Sequence, residues 1–390
     1  MTTDHSTLRD RSGFFTQIRR EIHQNPELGL ETPHTSERVA SLLEGWGYEV
    51  HRGIGGHGVV GVLRKGNGPR RLGIRADMDA LPIIERNGLP WASQHPGRMH
   101  ACGHDGHTAT LLAAAEQLAL NCEFNGTLNL IFQPDEEGLM GAVSMIQDGL
   151  FTRFPCDAVF ALHNMPGLDV GQAVVSDGGT AASSERVRII IKGKGGHGAM
   201  PSRAIDPIPA MASIITALQT VISRNLDSNE SAVISIGQVH TGSAYNIIPE
   251  QVDIELGVRT LSREVRDRVE TRIREIVQGQ AAAFNVEVEI DYTLLAPVLV
   301  NTPKETAQML AAARRVLGNE HVLEKLPARL MGSEDFAWML HQIPGCYFLL
   351  GNGKGQFTGC SPHNDKYDFN DEIIPLGAGC WVELAREILI

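Results

Sequence analysis

Residues 127–137 read TLNLIFQPDEE, a mostly apolar run, then a proline, then three acids in succession. The run has the length and composition of a buried strand, and Pro134 stops it because proline has no backbone N–H to offer a ladder. Adjacent carboxylates repel each other unless cations neutralise them, so a strand ending in Glu136 and Glu137 ends either in solvent or at a cation site. Working outward, the layout recurs. Leu72–Ala76 is a strand-like run followed by Asp77 and Asp79, Ala158–Leu162 is one followed directly by His163, and Gly58–Leu63 is a further apolar run. Helical patterns lie between and around them: Thr7–Gln24, Thr35–Trp46 ended by Gly47, Thr108–Leu120, and a stretch near Gly141–Phe151. Strands alternating with helices predict a mostly parallel sheet flanked by helices, an α/β fold whose ligand crevice lies beyond the carboxyl ends of the strands.

The segment 184–295 has a different grammar. A strand-like run, Val187–Lys192, leads into a glycine-rich loop around His197. A helix at Pro207–Arg224, strands at Ala232–Val239 and Val252–Val258, a charged amphipathic helix at Ser262–Phe284 and a last strand at Val286–Tyr292 follow. The order β-α-β-β-α-β is a ferredoxin-like α+β unit. The α/β pattern resumes near Lys304. The expected organisation is a catalytic domain, 1–183 and 296–390, with an inserted domain at 184–295.

Composition narrows the function. With 42% hydrophobic and 21% charged residues, the 390-residue chain is an ordinary globular protein, long enough for two cores. A net charge of -12 argues against nucleic acid as the main partner, because binding phosphates needs a basic face. The first eleven residues are polar, and no apolar run is long enough for a signal core or a bilayer span, so no membrane partner and a cytoplasmic location are expected. Six cysteines without a CxxC pair are not a disulfide framework.

The densest chemistry is MHACGHDGHTA at 99–109. Cys102 and His104, at i and i+2, can aim at one metal from a loop, and thiolate with imidazole suits zinc or another first-row ion. The Glu136–Glu137 pair permits a division of labour in which one carboxylate holds metal and the other moves a proton. His163 and His363 add two more imidazoles, enough together for a pair of metals.

In this order, RREIHQNPELGLET, RADMDALP, MHACGHDGHTA, FQPDEEG, HNMPG, GKGGHGAMPS, YNIIPE, GVRT, GSEDFAWM and PHNDKYDFND cover nearly the whole chain. Together they resemble the aminoacylase/carboxypeptidase family of dinuclear metallohydrolases, in the branch of hippurate hydrolase and the plant indole-acetyl-amino-acid hydrolases. The resemblance implies metal-dependent hydrolysis of N-acyl amino acids to a carboxylic acid and a free amino acid. It implies two divalent ions per subunit (zinc, manganese, nickel or cobalt), held by Cys102, His104, Glu137, His163 and His363. Glu136 would be the general base and His197 an oxyanion donor, in its own or a partner subunit. Asn246 and Arg259 would recognise the substrate carboxylate, although a strand-surface salt bridge is an equal reading of Arg259. The inserted domain would be the lid and the surface of a homodimer or higher homo-oligomer. Related carboxypeptidases carry His-x-Asp where this chain has Asp77-Met78-Asp79, and Asp in the Cys-Gly-His stretch. That departure leaves the bridging residue open, and Asp79 and Asp105 become candidates to orient a ligand imidazole. Ser202 stands where this branch often has His. A dipeptidase or an N-acetyl-diaminopimelate deacetylase of the same family, or a binder of acyl amino acids or metal without catalysis, are the rival readings.

Overall fold

The computed structural model describes residues 6–325 and 330–389. The chain divides into two compact units. Met1–Thr180, Val300–Ala328 and Asp335–Ile390 form one, and Ala181–Leu299 with Arg329–Glu334 form the other.

The larger unit is built on an eight-stranded sheet. Its strands run in the order Glu49–Ile54, Gly58–Lys65, Gly126–Gln133, Arg71–Asp77, Ala158–Pro166, Gly345–Gly353, Ala173–Val174, Val322–Leu323. Parallel pairing fills the centre, from Gly126–Gln133 to Gly345–Gly353. Toward the flanks the sheet becomes mixed. Glu49–Ile54 and Gly58–Lys65 form a hairpin, because three intervening residues are too few for a crossover, and Ala173–Val174 runs antiparallel to Gly345–Gly353. The central strands are apolar on both faces because helices cover them. Phe132, Phe160 and Phe348 lie in one core with Trp381 of the helix Ile374–Ile388. The helix His104–Leu120 is buried nearly all round, as its Ala/Leu sequence requires.

Helix boundaries differ from the sequence reading in places, and the stretch near Gly141–Phe151 is split into Gly141–Gln147 and Leu150–Arg153. The helix expected from Thr108 begins at His104, since Gly103 adopts a left-handed φ of 99° and its carbonyl accepts the N–H groups of Gly106 and His107. His104 therefore sits in a first helical turn, and Cys102 stays in the loop before it. The helix expected over Thr7–Gln24 is split at Arg11 into Ser6–Asp10 and Ser12–Gln24. His163 likewise lies within the strand Ala158–Pro166, not beyond its end.

The smaller unit has a four-stranded antiparallel sheet in the order Ala232–Thr241, Gln251–Thr260, Ser184–Lys192, Glu287–Ala296. Alternation explains its one-sided core. Val187, Ile189 and Ile191 are buried while Arg186 and Arg188 are exposed. The buried side packs with Ile214 and Leu218 of Pro207–Asn225 and with Val269 and Ile273 of Arg263–Ala283. Asp206 and Ser262 cap these helices by accepting the N–H groups of Ile208 and Val265. Among the described residues no helix is long and apolar enough to cross a membrane.

Candidate metal centre

At the carboxyl end of the central strands the larger unit gathers Cys102, His104, Glu136, Glu137, His163 and His363. Three overlapping groups have ligand atoms within 4.8 Å of one another: Cys102–His104–His163, Cys102–Glu137–His363 and His104–Glu136–Glu137. Cys102 Sγ lies 3.3 Å from His163 Nε2, and His363 Nε2 lies 3.2 Å from Glu137 Oε1.

Each donor is aimed by a neighbour. Gly103 permits the turn between Cys102 and His104, where a Cβ would come within 2.4 Å of the Asn164 side-chain oxygen and 2.5 Å of the Tyr367 hydroxyl. Asp79 grips the acidic turn, its two oxygens accepting the backbone N–H groups of Glu136 at 3.0 Å and Glu137 at 3.1 Å. The Asp79 carbonyl lies 2.9 Å from His104 Nδ1, which leaves Nε2 facing the cluster. His163 Nδ1 pairs with the Asn164 carbonyl at 2.7 Å, which turns its Nε2 toward Cys102. Asp135 and His363 both hold left-handed backbone, φ 55° and 67°, at a cost of about 1–3 kcal/mol each that the surrounding contacts must offset.

The donor set fits a cation. His104 Nε2 is buried with no hydrogen-bond partner among the described residues, and it faces carboxylate oxygens of Asp77, Glu136 and Glu137 at 3.8, 3.9 and 4.0 Å. A buried imidazole nitrogen and three carboxylates held just beyond hydrogen-bonding distance leave a space that a divalent ion would fill. In the metal-free electrostatics, burial together with the Glu137 charge raises the Cys102 thiol. Burial lowers His163 well below its ordinary value. His363 is raised to about 10 by its contacts with Cys102 and Glu137. Metal binding would displace such protons.

The residues named from sequence do not all converge. Asp105 turns away from the cluster. Its carboxylate meets His23 Nδ1 at 2.8 Å and Arg19 Nη1 at 3.4 Å, so the imidazole it orients is His23 and none of the ligand candidates. In the smaller unit, His197 lies on a two-residue strand, Gly196–His197, paired with Ile247–Ile248, where the sequence suggested a loop. His197 and Asn246 are adjacent and exposed, and the Asn246 carbonyl accepts Gly198 N–H at 2.8 Å. Arg259, half-buried, donates to the Ser333 hydroxyl, and the Glu185 carboxylate acts on its charge. His107, which the sequence places in the same His-rich cluster, pairs its nitrogens with Asp77 at 2.6 Å and the Asn164 side chain at 2.7 Å. The HxxH spacing was visible, but only the fold shows that Asp77 and Asn164 saturate His107.

Comparison with known proteins decides the family. Residues 73–387 match peptidase family M20/M25/M40. The chain belongs to that family. It is 43% identical over 380 residues to a hippurate hydrolase of Campylobacter jejuni, covering 97% of this chain and 98% of that one. It is 36% identical over 381 residues to an N-acetylcysteine deacetylase of Bacillus subtilis, covering 95% and 96%. Among solved structures, a Bacillus subtilis protein described as a dinuclear metal-binding peptidase of the M20 family superimposes with a TM-score of 0.84 at 31% identity, covering 98% and 99%. Family membership makes the chain a metal-dependent amidohydrolase, and the two clusters sharing Cys102 agree with a site for two divalent ions.

Proposed function

We propose that this protein hydrolyses the amide bond of N-acyl amino acids, hippurate-like or N-acetylated, releasing a carboxylic acid and a free amino acid. The observation that carries the reading is the acidic turn. Two adjacent glutamates are held by one carboxylate, Asp79, so that both face the same buried imidazole. A protein that only binds acyl amino acids has no use for the second. The full-length similarity to a hippurate hydrolase and an N-acetylcysteine deacetylase supports the substrate class.

In this reading Cys102, His104, Glu137, His163 and His363 would hold two divalent ions, and Cys102 belongs to two of the close-packed ligand groups. Zinc, manganese, nickel and cobalt all suit a mixed thiolate, imidazole and carboxylate set. When bound, the ions polarise the amide carbonyl and lower the pKa of water. Glu136 takes the proton from the attacking water and delivers it to the departing nitrogen. Asp79 keeps that carboxylate in place by fixing its main chain. His197 donates a hydrogen bond to the developing oxyanion, and Asn246 and Arg259 bind the substrate carboxylate. The smaller unit serves as lid and dimer surface. A cytoplasmic setting is part of the proposal, supported by six cysteines that are all unpaired thiols.

The test is Glu136→Gln. Metal content by elemental analysis should persist while kcat on a hippurate and N-acetyl amino-acid panel falls about 100-fold or more, the scale of general acid–base catalysis. Near-normal turnover would remove Glu136 as the base. Loss of metal would exchange its role with that of Glu137.

A further inference from the structure

The acidic turn is pinned a second time by a residue far away in sequence. Asp335 is fully buried, and it is the residue at which the chain re-enters the larger unit after Glu334 of the smaller one. Gln133, the last residue of the strand Gly126–Gln133, donates through Nε2 to both Asp335 oxygens at 2.8 and 2.9 Å. Ala142, in the first turn of the helix Gly141–Gln147, donates its backbone N–H to Asp335 Oδ2 at 2.8 Å. One carboxylate therefore joins the residue before the 134–140 loop to the helix that follows it, and the loop between carries Glu136 and Glu137. Arg75 completes the arrangement. It donates to Asp335 at 3.1 Å, to the Gln133 side-chain oxygen at 3.0 Å and to Asp77 Oδ2 at 2.7 Å. Asp77 in turn holds His107.

We infer that Asp335 is a positioning residue for the reaction: by clasping both ends of the 134–140 loop it sets where the Glu136 carboxylate stands. The glycine that opens the following helix shows how tight the clasp is, since a Cβ on Gly141 would lie 1.7 Å from the Pro134 carbonyl oxygen. The loop also contains the left-handed Asp135 and Leu139, conformations that need external contacts to persist. Loosening a general base by a fraction of an ångström lowers turnover without abolishing binding, because the lost geometry matters at the step it promotes. Asp79 fixes the centre of the turn, so its ends are what remain for Asp335 to determine.

The inference rests on Glu136 being the base, and a double-mutant cycle separates the two claims. Asp335→Asn puts an amide where Gln133 and Ala142 both donate, so at least one contact becomes donor against donor. In the otherwise unaltered protein, kcat should fall about 30-fold with KM changed less than about 3-fold and the metals retained, which is the signature of lost positioning. In the Glu136→Gln background the same substitution should cost less than about 3-fold, because the group it positions is already gone. Equal losses in both backgrounds, or loss of metal in Asp335→Asn, would overturn the positioning role while leaving Glu136 as base. No loss from Glu136→Gln alone would overturn the base itself. Thermal melting accompanies each variant, and if Asp335→Asn does not fold, Gln133→Ala repeats the cycle by cutting the clasp from its other end, with the same two outcomes deciding.

Discussion

In the larger unit the Glu136–Glu137 turn is gripped by buried carboxylates at its centre and both ends. In the smaller unit the His197 strand has a two-rung ladder to Ile247–Ile248, and its functional side chains stand in solvent. The first region is built as a wall and the second as a finger. The difference is chemical. Closely placed carboxylates, imidazoles and a thiolate would repel or titrate away unless their surroundings fixed them, whereas a hydrogen-bond donor on a short glycine-flanked strand needs only reach. Substitutions in the wall should therefore disturb folding and function together, and substitutions in the finger function alone.

The largest expected effect tests the wall behind the metal cluster. Arg19, fully buried, donates to Asp368 and Asp371 at 2.8 Å each and reaches Asp105 at 3.4 Å. Arg19→Met leaves those carboxylates without their shared cation, and breaking such a buried group costs about 3–5 kcal/mol. Denaturant unfolding should show the loss in the larger unit. A loss below about 1 kcal/mol would mean the network is not what holds Asp105 and the helix it opens. A pH series sharpens the point. Burial opposes the charge on His23, but Asp105 and Glu85 outweigh it and raise its pKa to about 9. Because the folded value lies above the unfolded one of about 6.5, this stabilisation is complete below pH 6.5 and fades as the pH rises through 9. The unaltered protein should thus lose stability across that window, and His23→Leu should flatten the slope.

The next effect tests the finger. His197→Ala should lower kcat by about 100-fold or more, the usual loss for one oxyanion donor, with KM and metal content unchanged. Its stability should stay within about 0.5 kcal/mol of the parent, as for an exposed side chain. Unchanged kcat would end the proposed role. A substantial drop in melting temperature would end the contrast between the two regions.

How much of this was legible in the sequence follows the same division. Strands closed by acids and histidines announced the sheet and the crevice, because apolar runs and their polar ends are local features. The β-α-β-β-α-β unit was legible for the same reason, each strand alternating and each helix amphipathic. What escaped was pairing at a distance. Arg19, Arg75, Gln133 and Asn164 are polar residues of types that favour the surface, and together with Asp77 and Asp335 they are buried here. Their partners lie up to 352 residues away, as for Arg19 and Asp371. Asp105 was misassigned for that reason. Its nearness to His104 in sequence suggested a shared task, but the first turn of a helix sends consecutive side chains in different directions. The early start of that helix was hidden by Gly103 and Gly106, which read as loop residues until the left-handed turn at Gly103 is seen to open the helix.

The smallest effect expected is a labelling ratio at Cys102, which compares the wall with and without its ions. As a ligand Cys102 must be a thiolate, yet a metal-held thiolate is shielded from alkylation. Without metal, burial and the Glu137 charge raise its pKa, so the thiol is mostly protonated at neutral pH and only 8% exposed. Iodoacetamide should therefore label Cys102 faster in chelator-treated protein than in loaded protein, but still more slowly than an open cysteine. The gap should widen only at pH above the ordinary thiol value of about 8.5, because burial and Glu137 raise the metal-free thiol and only that form has a proton left to lose. Labelling must be read by peptide mapping, because Cys360 is partly exposed and supplies a metal-independent reference within the same chain. Equal rates at Cys102 in both forms, across the pH range, would take it off the ligand set. The cluster would then divide into His104 with the glutamates and His363 with Glu137, and the wall would have to be explained without its sulfur.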